Sequence, residues 1–159
     1  IHSRNEKTVS KAMMELASSG IFAEYADSET VCRQADILVT VTGAREALFD
    51  AAWIKPGTHI SAMGADQPGK MELVLKSSLF ADYPPQSRVN GEFEAAYGEN
   101  PDLDITAIGA VLVGEHDGRT DDDQITIFDS SGIALQDLCV ATAVLDIAIE
   151  QGLAQEVDF

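Results

Sequence analysis

At 159 residues the chain is long enough for one domain with a buried core, and 45% hydrophobic residues fit a globular protein. Its 27 acidic and 10 basic side chains leave a formal charge of -17, which argues against nucleic acid as a partner, because phosphate contacts need clustered Lys and Arg. No apolar run approaches the length of a membrane span, so no membrane partner is expected either. Cys32 and Cys139 lie far apart, each inside a helical pattern. They read as two buried thiols rather than a disulfide, and so as a cytoplasmic protein. His2, His59 and His116 are isolated, no Cys/His cluster has ligand spacing, and no metal is expected.

Ile1 to Ser3 reads as the tail of a strand. Asn5 is an N-cap for a helix with Val9, Ala12, Met13 and Leu16 on one face, running to about Ser19 and ended by Gly20. Ile21 to Tyr25 is expected to be a short strand, and Ser28 to open a second helix through Val31, Cys32 and Ala35. The β-branched run from Ile37 to Thr42 fits a parallel strand buried on both faces. Leu48, Phe49, Ala52, Trp53 and Ile54 make an apolar patch, closed by the turn Lys55-Pro56-Gly57 ahead of a strand over 58–63.

The stretch from Gly64 to Leu73 that follows is the centre of the functional reading. Gly64 permits a turn, Pro68 and Gly69 stop either element from continuing, and Asp66 is left on a constrained loop at the carboxyl end of a strand. In open α/β sheets that edge is where ligands bind. An aspartate that merely caps the next helix is the plain alternative.

Leu73 to Ser77 is expected to be a short helix and 79–82 a strand, before Pro84-Pro85 breaks the pattern. A helical stretch around Glu92 to Tyr97 and a turn at Asn100-Pro101-Asp102 follow. Ile105, Ile108, Val111 and Leu112 predict one helix ending near Gly114. The acidic loop 116–123 lacks the alternating ligands of a calcium loop and reads as solvated surface. Ile125 to Asp129 is a strand. Ser130-Ser131-Gly132 then turns into the longest helix, Ile133 to Gly152, whose face of Leu138, Ala141, Leu145, Ala148 and Ile149 is core or interface.

The alternation of strands and helices predicts an α/β fold, a doubly wound and mostly parallel sheet of Rossmann type. Arg4 follows a strand end directly. In dinucleotide folds the second strand ends at the adenosine ribose, where Arg suits a 2′-phosphate. A solvated Arg at a helix start is the other reading. The sequence contains no Gly-x-Gly-x-x-Gly.

Three segments together resemble the ornithine cyclodeaminase and mu-crystallin family: Ala35 to Thr42, the Gly64–Leu73 loop, and Ile127 to Leu138. Trp53-Ile54-Lys55-Pro56-Gly57-Thr58-His59 resembles the family's tryptophan-proline-glycine lead into the next strand. The resemblance implies an NAD(P)-binding Rossmann domain that is one part of a larger subunit, truncated here before the glycine-rich loop. Residues 1–132 would be that partial domain, and 133–159 a helix and tail packing toward a substrate and dimerisation domain. The implied activity is that of an ornithine cyclodeaminase: hydride transfer, ring closure of an amino acid to a cyclic imino acid, and ammonia release. A ketimine reductase, an alanine dehydrogenase and a non-enzymatic mu-crystallin-like binding protein are the alternatives within the family.

Residue by residue, the resemblance makes Asp66 the catalytic carboxylate that orients amines and moves protons, in contact with substrate together with Gly132. Ser3, Arg4 and Asn5 would meet the adenosine end of the cofactor, with NADP(H) slightly preferred. Thr40, Thr42, Ile60, Ser61, Ala62, Met63, Lys70 and Ser131 would meet the rest of it. Ala65 stands where ornithine-specific members carry a second Gly, so the substrate is left open between amino acids and cyclic imines. The expected assembly is a homo-oligomer, and the chain on its own is expected to be inactive.

Overall fold

The computed structural model describes residues 1–44, 46–64 and 71–157. Asp66 and Lys70 therefore lie outside the described residues. The first helix, α1 (Glu6–Ser18), starts where expected: the Asn5 side chain accepts a hydrogen bond from Lys7 N. It ends in a paired cap, with Ile21 N donating to Leu16 O at 2.9 Å and Gly20 N to Ala17 O at 3.0 Å. Gly20 takes φ +76°, which a side chain resists. The next helix, α2 (Ser28–Gln34), is capped by Asp27, whose carboxylate accepts from Thr30 N and is held below the ordinary aspartate range by that bond.

Five strands follow: β1 (Ile37–Thr40), β2 (His59–Ala62), β3 (Ser78–Ala81), β4 (Ile105–Ala107) and β5 (Thr126–Asp129). They form one all-parallel sheet in the order β1-β2-β5-β3-β4. Between them lie a 3-10 turn at Ala51–Trp53 and the helices α3 (Met71–Lys76), α4 (Pro84–Ser87), α5 (Glu94–Glu99) and α6 (Ile108–Leu112), with α7 (Ala134–Glu150) after β5.

The registers align one aliphatic row across the whole sheet: Leu38, Ile60, Ile127, Leu79 and Ile105 are consecutive partners, and all are buried. Cys32 from α2, Phe49 and Ile54 around the 3-10 turn, Leu73 and Val74 from α3, and Phe93 and Ala96 at α5 pack on that row. The next row on the same face, one step nearer the carboxyl edge, is Thr40, Ala62, Asp129, Ala81 and Ala107. Its small side chains let Ser87, Gly91, Glu92 and Phe93, all buried, come close to the sheet.

Five expectations change. Ile21 to Tyr25 is extended but joins no sheet; it runs beside Ile1 and His2, through Ala26 N to Ile1 O at 3.1 Å, Ile1 N to Glu24 O, and Tyr25 stacked on His2. Residues 105–107 are a strand rather than the start of a helix, because pairing Ile105 with Leu79 completes the aliphatic row, and tertiary pairing outweighs the helical spacing. The first strand is not buried on both faces: Ile37 and Val39 are 67% and 56% exposed while Leu38 and Thr40 are buried. It lies at the sheet edge, and helices pack on only one of its faces. Cys32 is buried as expected, and burial pushes its thiol up, but Cys139 is exposed on α7, which has no buried residue. Pro84 and Pro85 open α4 rather than only interrupting, since the first helical turn tolerates a missing N–H.

Candidate functional site

Parallel strands place all their carboxyl ends on one edge. Here that edge is closed by backbone bonds running one residue past the strands. Met63 N donates to Thr40 O at 2.9 Å, Ser130 N to Ala62 O at 2.9 Å, and Asp82 N to Asp129 O at 3.3 Å. Met63, Ser130 and Asp82 thus stand in line, one step beyond the row of Thr40, Ala62, Asp129 and Ala81. The bend Ser131-Gly132 rises from this line into α7, with Gly132 at φ +77°.

The predicted site residues divide between edge and interior. Thr40 and Ala62 are buried at the last positions of their strands, and Met63 is exposed directly above. Thr42 lies beyond β1, its hydroxyl accepting from Ala44 N at 3.2 Å. Ile60 sits within the aliphatic row, so only its backbone reaches toward the edge. Ser61 points to the opposite face, where its hydroxyl meets His59 Nε2 at 3.1 Å while His59 Nδ1 meets Thr126 Oγ1 at 2.7 Å. Burial, and then the nearby Arg119 charge, lower the His59 pKa, so this imidazole is a neutral link in a polar chain along the sheet. Ser3, Arg4 and Asn5 are together at the start of α1, with Asn5 N near Ser3 Oγ at 3.4 Å and Arg4 exposed. Ser131 and Gly132 are at the edge.

Two carboxylates that sequence reasoning missed organise this edge. Asp82 follows β3 and grips the bend after β5: Gly132 N donates to its Oδ2 at 2.7 Å, and the Ser131 hydroxyl donates to its Oδ1 at 3.2 Å. Asp129 ends β5 and grips the segment after β3: Glu92 N donates to its Oδ2 at 3.2 Å, and Ser87 Oγ bonds the same oxygen. Each aspartate ends or follows one strand and fixes the loop of its neighbour. Asp129 is fully buried, and among the described residues its Oδ1 has no hydrogen-bond partner. Burial drives its pKa upward against the Ser87 and Glu92 bonds, and the Asp82 charge adds to the rise. Gly91 is required here, because a Cβ would come within 2.4 Å of Asp129 Oδ2. The signal was present in both strand ends, Ala81-Asp82 and Phe128-Asp129, as an acid closing an apolar run.

Among the described residues, a Cβ built at Gly43 or at Gly132 would meet no atom within 4 Å. A cavity of about 520 Å³ lies elsewhere, among Ser78, Asp104, His116 and Gln124 at the amino-terminal side of the sheet. Its acids face solvent, and it shares no residue with the carboxyl edge. Among the described residues no group of three or more His, Cys, Asp or Glu could hold a metal ion, and no helix is long and apolar enough to cross a membrane.

A parallel sheet of this order, with helices between its strands and a loop-lined carboxyl edge, is a Rossmann-like nucleotide-binding architecture. The chain belongs to the ornithine cyclodeaminase/mu-crystallin family, whose model matches residues 1–152. It is 37% identical over 162 residues to the alanine dehydrogenase of Archaeoglobus fulgidus, covering 97% of this chain and 50% of that protein. It is 36% identical over 125 residues to the ornithine cyclodeaminase of Agrobacterium fabrum, covering 75% of this chain and 34% of that protein. A solved archaeal alanine dehydrogenase dimer with bound NAD superposes with a TM-score of 0.89 at 34% identity, covering 98% of this chain and 50% of that one. The chain thus spans half the length or less of these relatives.

Proposed function

We propose that this chain is the dinucleotide-binding part of an NAD(P)-dependent enzyme that transfers hydride at the α-carbon of an amino or imino acid. The observation that carries the reading is the coincidence of two results. The family match runs through 1–152, and Thr40, Ala62 and Met63, expected from the sequence to meet the cofactor, lie at the carboxyl ends of their strands, the edge where such a sheet binds ligands. The dinucleotide, when bound, supplies the hydride acceptor or donor. Thr40, Ala62, Met63, Ser131 and Gly132 then wall the reacting end, and α1 with Ser3, Arg4 and Asn5 takes the adenosine end. Asp66, by its place after β2, orients the substrate amine and moves its proton. Residues 133–159, centred on the exposed α7, are the surface that meets the rest of the subunit or a second copy.

Within the family, ornithine cyclodeaminase chemistry fits an acid on the Asp66 loop, since ring closure requires proton movement between two amines. A dehydrogenase or reductase of small amino or imino acids is the second reading. It is favoured by the alanine dehydrogenase match, which covers 97% of this chain against 75% for the cyclodeaminase. In the whole protein, Asp66→Asn is expected to cut turnover by about 10²–10⁴-fold with little change in cofactor affinity. Near-normal turnover would return Asp66 to a capping role. Arg4→Ala is expected to weaken NADP(H) far more than NAD(H), because Arg pairs bidentately with a 2′-phosphate. Equal losses would remove the NADP(H) preference.

A further inference from the structure

We propose that Asp82 is a positioning residue that makes the Ser131–Gly132 bend a hydrogen-bond acceptor, selecting a ligand group that donates N–H and turning carboxylates and phosphates away. The inference rests on the carboxyl edge being the ligand edge and adds the polarity of one of its corners.

The argument is an accounting of donors. The bend offers two that its position exposes to the edge, the Ser131 hydroxyl and the Gly132 N–H. One carboxylate takes both, at 3.2 and 2.7 Å, and a third donor, Tyr83 N, holds the same carboxylate in place at 2.8 Å. A carboxylate can only accept, so the Ser131 proton points at Asp82 and the lone pairs of its oxygen face elsewhere. Gln86 Nε2 braces the bend from behind, 3.2 Å from Gly132 O and 3.5 Å from Ser131 O, and each carbonyl keeps a second lone pair. What the bend presents is therefore acceptor atoms beside a fixed negative charge.

The position in the fold strengthens this. Helix α7 starts two residues after Gly132, and Ile133 gives it no side-chain cap. The start of a helix attracts anions, and the Asp82 carboxylate, supplied from the neighbouring strand, holds the Gly132 N–H two residues before it. A ligand carboxylate or phosphate arriving there meets a like charge, with the Ser131 hydroxyl and the Gly132 N–H already taken by Asp82. An amine or an amide N–H meets the Ser131 oxygen. Two sources carry that chemistry on this edge, the amino group of an amino-acid substrate and the carboxamide of a nicotinamide ring.

The test uses the whole protein and two matched pairs of probes. The first pair is NADH and its 3-acetylpyridine analogue, which lacks the carboxamide N–H. The second is L-alanine and propionate, which lacks the amine, each titrated against the cofactor-loaded protein. Ser131→Ala leaves the Asp82–Gly132 bond in place. It is expected to weaken the N–H-bearing member of one pair by about 10-fold, the worth of one hydrogen bond, and to leave its N–H-free partner unchanged. The pair that responds names the source. Asp82→Ala is expected to expose the Gly132 amide to hydrogen exchange in the ligand-free protein and to tighten propionate or inorganic phosphate several-fold. Equal losses for both members of both pairs, or a Gly132 amide as protected in Asp82→Ala as in the parent, would overturn the proposal. If the parent protein binds neither dinucleotide, the edge is not the ligand edge and the proposal falls with the functional reading. If it binds them without discriminating within either pair, the proposal alone falls.

Discussion

Asp129 is the side chain whose replacement tests most of this architecture at once. It is fully buried in a row of alanines, receives Glu92 N and Ser87 Oγ on one oxygen, and leaves the other unpartnered among the described residues. Burial raises its pKa in the folded state above its value in the unfolded chain. The sign follows. Below the unfolded value both states hold the proton, and the folded state bears no penalty. As pH rises past that value the unfolded chain releases its proton while the folded one retains it, so stability falls until the folded pKa is passed and then levels off. Asp129→Asn keeps the shape and an accepting oxygen but cannot ionise. The stability difference between variant and parent should therefore grow in the variant's favour by about 1.4 kcal/mol per pH unit from about pH 4 upward, and the pH at which it stops growing reads the folded pKa. Because every other titrating group is common to both proteins, the difference isolates this one. Urea unfolding of both at half-unit pH steps is the assay. Adding Asp82→Asn to each protein removes the charge that raises Asp129 further and should bring the plateau to lower pH. Parallel curves for parent and Asp129→Asn between pH 4 and 7 would refute the reasoning, since they would mean that Asp129 titrates as it does in the unfolded chain.

Other outcomes follow from close contacts in the same structure. Gly91→Ala brings a methyl to 2.4 Å from Asp129 Oδ2 and 3.1 Å from Ser87 Cα, and should cost about 1–3 kcal/mol in urea unfolding. Gly57→Ala combines φ +81° with a Cβ 2.5 Å from the Asp122 carbonyl oxygen, and should cost about 2 kcal/mol by the same measurement. Ile127→Ala removes the middle of the aliphatic row and should cost about 2–5 kcal/mol, with a lower midpoint at unchanged denaturant slope. In the isolated chain a thiol reagent should modify Cys139 within the dead time and Cys32 only on unfolding, because one is exposed and the other buried.

The local devices of this fold were legible because short-range chemistry sets them. Asn5, Gly20 and the Ser28 helix start needed nothing beyond their neighbours in sequence, and the runs around Leu38, Ile60 and Ile127 had no other role than strand. Errors arose where a partner distant in sequence decides the outcome. Ile105 fits a helical spacing with Ile108 and Val111, yet Leu79 claims it for a strand. Ile21 to Tyr25 has strand composition but finds Ile1 and His2, not a strand, beside it. Periodicity cannot weigh such claims, because it sees no residue more than a turn or two away. The site divided in the same way. Motif likeness drew attention to Ser131 and Gly132, while Asp82, which holds them, matched no motif and looked like any acid after a strand.

The reason lies in strand order. β5 is last in the chain but third across the sheet, inserted between β2 and β3. That insertion places Asp129 beside Ala81 and so beside the loop 83–92, and it places Asp82 beside the bend 130–132. Residues 42 to 50 positions apart in sequence become hydrogen-bonded partners. A sequence reading can name the strands and still miss these contacts, since any order with β3 and β5 apart would separate all of them. The converse also holds. Once the order is known, two aspartates at the ends of neighbouring parallel strands can each reach the loop of the other strand. The crossed pair is thus a consequence of the topology, and it ties the two loops that border the middle of the carboxyl edge into one unit. Any ligand group that moves the Ser131–Gly132 bend must move Asp82, and through the Asp82 N to Asp129 O bond at 3.3 Å the base of the Ser87–Glu92 segment with it.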